Sequence, residues 1–182
     1  MTDKAVLISI RPNWCELIAS GEKTVEVRKT KPKLETPFKV YIYETKTVDK
    51  SKLIVYVDGN EPCRYYKGKG KVIGEFVCDK IVDIDFGIEE GVFFDGEIQE
   101  GFEANGNGSN PTCLSFVELE NYLTENEGYG WHISDLVIYD KLKELRQFKR
   151  VLKNNTYKEW LKHDSVYLQR PPQSWCYVEV MK

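Results

Sequence analysis

Apolar residues in this chain come in short runs separated by polar or glycine-bearing turns, and the pattern is clearest near the N-terminus. Residues 5–10 (AVLISI) form an almost continuous apolar stretch, which predicts a buried strand. Pro12 then suits the first turn of a helix, where its missing N–H costs nothing. Trp14, Leu17 and Ile18 recur at i, i+3 and i+4 and give that helix one apolar face, and Gly21 is placed to terminate it. Residues 23–28 (KTVEVR) read as a strand with Val25 and Val27 on one face and Thr24, Glu26 and Arg28 on the other. A Lys/Pro loop over 29–36 leads to a further alternating strand at 38–44 (FKVYIYE).

Beyond residue 45 the pattern loosens. The apolar run 53–57 (LIVYV) lies in polar, Lys/Gly/Tyr-rich surroundings and predicts an extra hairpin strand. Residues 70–85 (GKVIGEFVCDKIVDID) form the longest β-like stretch, and Gly74 within it marks a bulge or a close backbone approach. Residues 85–110 carry seven acidic side chains and no Lys or Arg, and end in the Gly/Asn-rich run ANGNGSNP. Residues 86–110 are therefore expected as an acidic loop insertion, solvated rather than a functional lid, with a short ordered turn around 92–94. Ser115-x-x-Glu118 is a capping box that opens a helix, with Phe116, Leu119 and Leu123 as its buried stripe. Residues 131–139 (WHISDLVIY) alternate as a strand, while 140–150 are charged with a single apolar stripe. Residues 156–162 (TYKEWLK) predict a turn or two of helix, and 175–181 (WCYVEVM) a closing strand after the break at Arg170-Pro171-Pro172.

Strands thus outnumber helices and do not alternate with them. That argues against a doubly wound parallel sheet and for an α+β, mainly β protein built as a small closed or half-closed β-barrel with few helices. A chain of 182 residues is expected to form one domain over 1–182. Its 41% hydrophobic and 30% charged residues exclude a disordered chain. Nothing approaches the ~20 apolar residues of a membrane span, and MTDKAVLISIRP lacks the apolar run of a signal peptide. A cytoplasmic location with no membrane partner is the expectation. Five scattered cysteines with no CxxC pair read as reduced thiols. His132 and His163 are far apart with no Cys at finger spacing, so neither a metal nor another cofactor is expected. A net charge of −3 excludes a polycation, so nucleic-acid contact needs a local basic patch. Residues 23–52 hold nine Lys/Arg, and 141–153 hold six against a single Glu; ordinary solvated loops are the plain alternative for both.

Residues 21–28 read Gly-Glu-Lys-Thr-Val-Glu-Val-Arg, directly after an apolar strand and a short helix. This gapless Gly-x-Lys-Thr-x-Glu-x-Arg resembles the signature of the ASCH family of the PUA-like superfamily. Three later segments resemble the same family, in the version common in bacterial and phage-encoded members, and stand in the expected order. They are GKVIGEFVCDKI (70–81), GYGWHISDLVIYDKLKEL (128–145) and RPPQSWCYVE (170–179). The resemblance implies a PUA-like β-pseudo-barrel: a mixed sheet of about five to seven strands, short helices at its ends and a polar cleft beside the first helix. It also implies a partner that is RNA or a modified nucleobase or nucleoside. Some small ASCH members are amidohydrolases that deacylate cytidine acylated on its exocyclic amine, which gives an alternative reading. In those members a Lys matching Lys23 is proposed as nucleophile or base. The position matching Glu26 carries Thr there, so this chain keeps the Lys and departs at the Thr. A third family residue, a Glu, would fall on Glu118 or Glu120. Lys23 and Glu26 are thus the catalytic candidates. A further alternative is a non-enzymatic regulatory module that meets a protein partner through the acidic stretch.

An unperturbed lysine stays protonated at neutral pH; burial or a neighbouring Arg11 or Arg28 would lower its pKa, and contact with Glu26 would raise it. On an ideal strand Lys23 and Glu26 point to opposite faces, so they meet only if Lys23 still lies in the turn after Gly21. The candidate ligand-binding set is Arg11, Trp14, Lys23, Glu26, Arg28 and Trp131. Arg11 would act as a phosphate or carboxylate fork at a strand end, and Trp14 and Trp131 as stacking platforms. The competing readings are a Lys–Glu–Arg network that only closes one end of the barrel, a capping role for Arg11, and core packing for the aromatics.

Overall fold

The computed structural model describes residues 4–46, 54–55, 64–65, 67–86, 91–102, 110–123, 127–151 and 166–181. Among these, the chain runs β1 (Lys4–Ile10), α1 (Pro12–Ser20), β2 (Val25–Arg28), β3 (Phe38–Glu44), β4 (Ile54–Val55), β5 (Arg64–Tyr65), β6 (Val72–Cys78), β7 (Ile81–Phe86), β8 (Val92–Phe94), β9 (Glu97–Gln99), α2 (Phe116–Leu123), β10 (Gly128–His132), β11 (Ser134–Lys143), a 3-10 turn (Leu145–Gln147) and β12 (Trp175–Glu179). The residues cluster into two compact units.

The first unit comprises Met1–Glu16, Lys39–Phe76 and Leu136–Lys182. The sheet in which its strands pair has the order β11-β6-β3-β1-β12. β1 pairs in parallel with β3 (Val6↔Val40, Ile8↔Ile42) and antiparallel with β12 (Ala5↔Val178, Leu7↔Cys176). Flanked on both edges and covered on both faces, β1 is buried from Ala5 to Ile10, which is why its apolar run hardly alternates. Leu7, Tyr41, Tyr43, Leu145, Phe148 and Val178 share one core cluster. Tyr41 lies edge-on to Phe148, with centroids 4.9 Å apart, and its hydroxyl accepts a hydrogen bond from the Met181 N–H at 2.9 Å. Gly74 answers the close approach expected of it: a Cβ there would lie 2.5 Å from the Val137 carbonyl oxygen.

The second unit comprises Leu17–Phe38 and Val77–Asp135. Its sheet has the order β2-β10-β7-β8-β9, with every neighbouring pair antiparallel. The α2 stripe of Phe116, Leu119 and Leu123 clusters with Val25 and Val27 of β2 and with Val82 and Ile84 of β7. The predicted capping box is formed: Ser115 N–H donates to Glu118 Oε2 at 3.0 Å, and Glu118 N–H donates to Ser115 Oγ at 3.2 Å. Because side chains alternate along a strand, Glu26 and Arg28 point away from α2. In the β2–β10 register Trp131 stands opposite Glu26, and Tyr129 opposite Arg28.

The mainly β, α+β character expected from the sequence is observed: the first sheet is mixed and five-stranded, within the expected five to seven, and a second five-stranded sheet accompanies it. The 70–85 stretch breaks at Asp79-Lys80 into β6 and β7, and the 131–139 stretch breaks at Ile133 between β10 and β11. Among the described residues the ladders do not link into one closed ring; they form two five-stranded sheets and the short β4–β5 pair. The acidic stretch also differs from a purely solvated loop. Residues 92–99 form the β8–β9 hairpin on the edge of the second sheet, and Val92, Phe94 and Phe102 enter the core. Three apolar side chains bury there while Asp95, Glu97 and Glu100 remain exposed. The predicted helix at 156–162 lies outside the described residues. Among the described residues no helix is long and apolar enough to cross a membrane.

Candidate functional site

The site is set by how α1 ends. Gly21 adopts φ +82°, a left-handed conformation that costs glycine little, and its N–H bonds to the Ile18 carbonyl at 3.0 Å. The Lys23 N–H then bonds to the Leu17 carbonyl at 2.9 Å. The chain is thereby wrapped around the helix end, and β2 starts only at Val25. Lys23 is free of the strand's alternation, so its Nζ reaches to 3.5 Å from Glu26 Oε2. Glu26 and Arg28, two residues apart on one strand face, pair at 2.7 Å through Oε1. One carboxylate therefore stands between two cations. Lys23, Glu26 and Arg28 are 2%, 6% and 7% exposed.

A fourth element completes the cluster. Lys23 Nζ donates to the Thr112 carbonyl at 2.5 Å. The Pro111 carbonyl accepts from the Thr24 and Val25 N–H groups at 3.0 and 2.9 Å. The Asn110 amide holds this loop together, donating to the Gly101 and Leu114 carbonyls and accepting from the Thr112 N–H and Oγ1. The next residue, Cys113, takes φ +54°, a conformation uncommon outside glycine. Burial pushes the Lys23 amine below its ordinary pKa, opposed by Glu26 and Cys113 and assisted by Arg28. Burial likewise raises the Cys113 thiol, against the pull of Lys23.

Of the residues the sequence singled out, Lys23, Glu26 and Arg28 meet in the second unit. Trp131 belongs to the same unit, but it is 0% exposed and packs edge-on against Phe38, with centroids 5.9 Å apart. A ring so enclosed offers no open face for stacking and belongs to the core. Tyr129, one step along the same sheet face, is half-buried, with Lys31 Nζ 4.5 Å from its ring centroid. Arg11 and Trp14 belong to the first unit. Arg11 is exposed, and its carbonyl accepts the Cys15 N–H at 3.0 Å, the bond that opens α1; Trp14 is half-buried on that helix. Glu118 uses its carboxylate in the capping box, and Glu120 is exposed on α2.

Sequence reading missed Asn110 and Thr112. Their only local signal was an Asn-Pro-Thr turn at the end of the Gly/Asn run, just ahead of the capping box. Of the basic residues between 23 and 46, Lys29, Lys31, Lys33 and Lys46 are exposed, whereas Lys23 and Arg28 are buried. Lys31 is paired with Asp83 at 3.0 Å. Among the described residues Cys15, Cys78, Cys113 and Cys176 form no disulfide. Among the described residues no group of three or more His, Cys, Asp or Glu is placed to hold a metal ion.

The strand–helix–turn–strand opening, the Gly21–Arg28 segment and the β-rich architecture together define a known class, and the ASCH domain profile matches residues 8–111. The chain belongs to the ASCH domain family. Its fold is similar to that of the ASCH protein of Zymomonas mobilis, with a TM-score of 0.53 and 20% identity over 100% of this chain and 90% of that one. A Tyr-to-Phe mutant of the Zymomonas mobilis protein gives a TM-score of 0.53 at 19% identity, covering 98% of this chain and 91% of that one. A Ser-to-Ala mutant gives 0.53 at 18% identity over 98% and 89%. At these identities the likeness is one of fold alone. A comparison with curated protein sequences returns no significant match.

Proposed function

We propose that the chain is a binding module whose ligand is a nucleobase, as a modified base, a nucleoside or a residue of RNA, received at Lys23, Glu26 and Arg28. The observation that supports this reading is the single carboxylate held between two cations inside the protein. Burying each ion costs several kcal/mol before mutual attraction repays it, and an apolar replacement often stabilises as well or better. A buried array of this kind is therefore a candidate for a role beyond stability. Cationic donors and a carboxylate acceptor are the two kinds of group that read the edge of an unpaired base, and at 2%, 6% and 7% exposure Lys23, Glu26 and Arg28 would have to open to receive one.

The test is equilibrium binding of cytidine, N4-acetylcytidine and a short single-stranded RNA to the wild type and to Glu26→Gln. The expected result is a loss of at least about tenfold, roughly 1.4 kcal/mol, for the probe that binds. Equal affinities for the two proteins would overturn the reading. A base-held ligand keeps its affinity as salt rises, whereas tracking of a phosphate backbone gives a steep decline.

One observation favours an alternative, amidohydrolysis of acylated cytidine with Lys23 central. The lowered pKa of Lys23 enlarges the fraction of neutral amine that can act as nucleophile or base. Absence of deacylation of N4-acetylcytidine, with wild type equal to Lys23→Ala, removes this alternative and leaves the binding reading standing.

A further inference from the structure

The 110–114 loop is built unlike an ordinary connection. Asn110 is buried, and all of its side-chain hydrogen-bonding groups are engaged: Nδ2 at 3.0 Å from the Gly101 carbonyl and 2.9 Å from that of Leu114, Oδ1 at 3.0 Å from the Thr112 N–H and 2.6 Å from its hydroxyl. The Thr112 Oγ1 in turn accepts the Leu114 N–H at 3.2 Å, and the Cys113 N–H returns to the Asn110 carbonyl at 3.2 Å. These bonds fix consecutive carbonyls in two directions. That of Pro111 receives the N–H groups of Thr24 and Val25, where β2 begins, and that of Thr112 receives Lys23 Nζ. The left-handed Cys113 is the backbone turn this arrangement requires.

We propose that Asn110 is the positioning residue of the Lys23 site: through the Thr112 carbonyl it holds Nζ against Glu26 and seals the amine from water. Its importance to ligand binding rests on the reading of the preceding subsection, but its action on Lys23 does not. Among the ionisable groups acting on Lys23 are Glu26 and Arg28 from β2 and Cys113 from the loop itself, with Glu22 acting on Cys113. Burial is the largest influence on the amine, so opening the seal outweighs the loss of one carbonyl acceptor. Loosening the loop should move the Lys23 titration midpoint upward, towards the ordinary lysine range.

The experiment is a pH titration of the ligand-free protein by side-chain NMR of 13C-labelled lysine, with the Lys23 resonance assigned by its disappearance in Lys23→Met. In Asn110→Ala the midpoint should rise by about one unit. Thr112→Val, which removes the hydroxyl joining Asn110 to Leu114 and leaves the backbone in place, should raise it by less, and Thr112→Ser should restore the wild-type value. Leu119→Ala weakens the core cluster against which Leu114 packs but removes none of the Asn110 and Thr112 hydrogen bonds, and should leave the midpoint unmoved. A folded Asn110→Ala or Thr112→Val protein with the wild-type midpoint would overturn the proposal, as would an equal shift in Leu119→Ala. Because no ligand is present, failure of nucleoside binding is a separate result and bears only on the functional reading.

Discussion

Lys23 Nζ lies 3.5 Å from Glu26 Oε2, although three residues apart on a regular strand would put the two side chains on opposite faces. The meeting depends on the helix end: Gly21 and the Lys23–Leu17 backbone bond keep Lys23 out of β2. The pair is therefore a product of backbone geometry as much as of charge.

Gly21→Ala tests that dependence. A Cβ at Gly21 meets no atom within 4 Å, so the cost is conformational, about 1–2 kcal/mol for an L-residue held at positive φ. Urea unfolding should show a lower midpoint with an unchanged slope. An Ala variant as stable as wild type would mean that the helix end tolerates another path and that Lys23 is not fixed by it.

Glu26→Ala should be among the most damaging single changes in the second unit. It leaves the ammonium and guanidinium buried without the carboxylate between them, a loss of about 3–5 kcal/mol by comparison with other broken buried pairs. Replacing all three charges, as Lys23→Met, Glu26→Leu and Arg28→Met together, should recover most of that loss. Chemical denaturation of the two proteins decides the matter. A triple variant no more stable than Glu26→Ala would show that the charges themselves hold the fold together.

The lowered pKa of Lys23 carries a sign. The folded state releases this proton at a lower pH than the unfolded chain, whose lysine keeps its ordinary value near 10.4. Between the two midpoints the unfolded state binds more protons, so stability from this group rises with pH across that window and is absent below it. The wild type should gain stability relative to Lys23→Met as pH is raised from neutral towards about 10. A difference that stays constant with pH, read from denaturation midpoints, would show that Lys23 keeps an ordinary pKa.

Acid acts on the other unit. Burial alone would raise the Glu75 carboxyl, but Lys39 at 2.6 Å and the Tyr139 hydroxyl together hold it below its ordinary value. Its contribution is complete above the unfolded carboxyl pKa, near 4.3, and is lost as pH falls through the depressed folded value. The pair is partly solvated, so the effect is at most about 1 kcal/mol. Wild type and Glu75→Gln should differ at pH 6 and converge by about pH 2. A gap that persists into acid would assign the role of Glu75 to packing.

The opening of the chain was legible because its signals are local. A continuous apolar run, a Pro at the helix start, a Gly at its end and an alternating VEV each act within a turn or two. The same holds for α2, whose cap and stripe lie within nine residues. The break at Asp79-Lys80 was hidden because Asp79 is a lone turn former there, with no Gly, Pro or Asn beside it, and apolar positions resume at once at Ile81. In the acidic stretch, the density of carboxylates masked a Val-Phe-Phe strand whose core partners come from other strands. Trp131 was a matter of burial, which no local pattern fixes. Asn110 and Thr112 escaped because their significance is long-range: the bond from Lys23 to Thr112 spans 89 residues.

The most direct test of the central claim is a nucleoside titration followed at the Lys23 side-chain resonance of 13C-lysine-labelled protein. If the buried cluster receives the base, this resonance shifts in a saturable manner, and the shift is lost in Glu26→Gln. Binding that leaves the Lys23 resonance in place while other signals move, or a titration in which no signal moves at all, would contradict it.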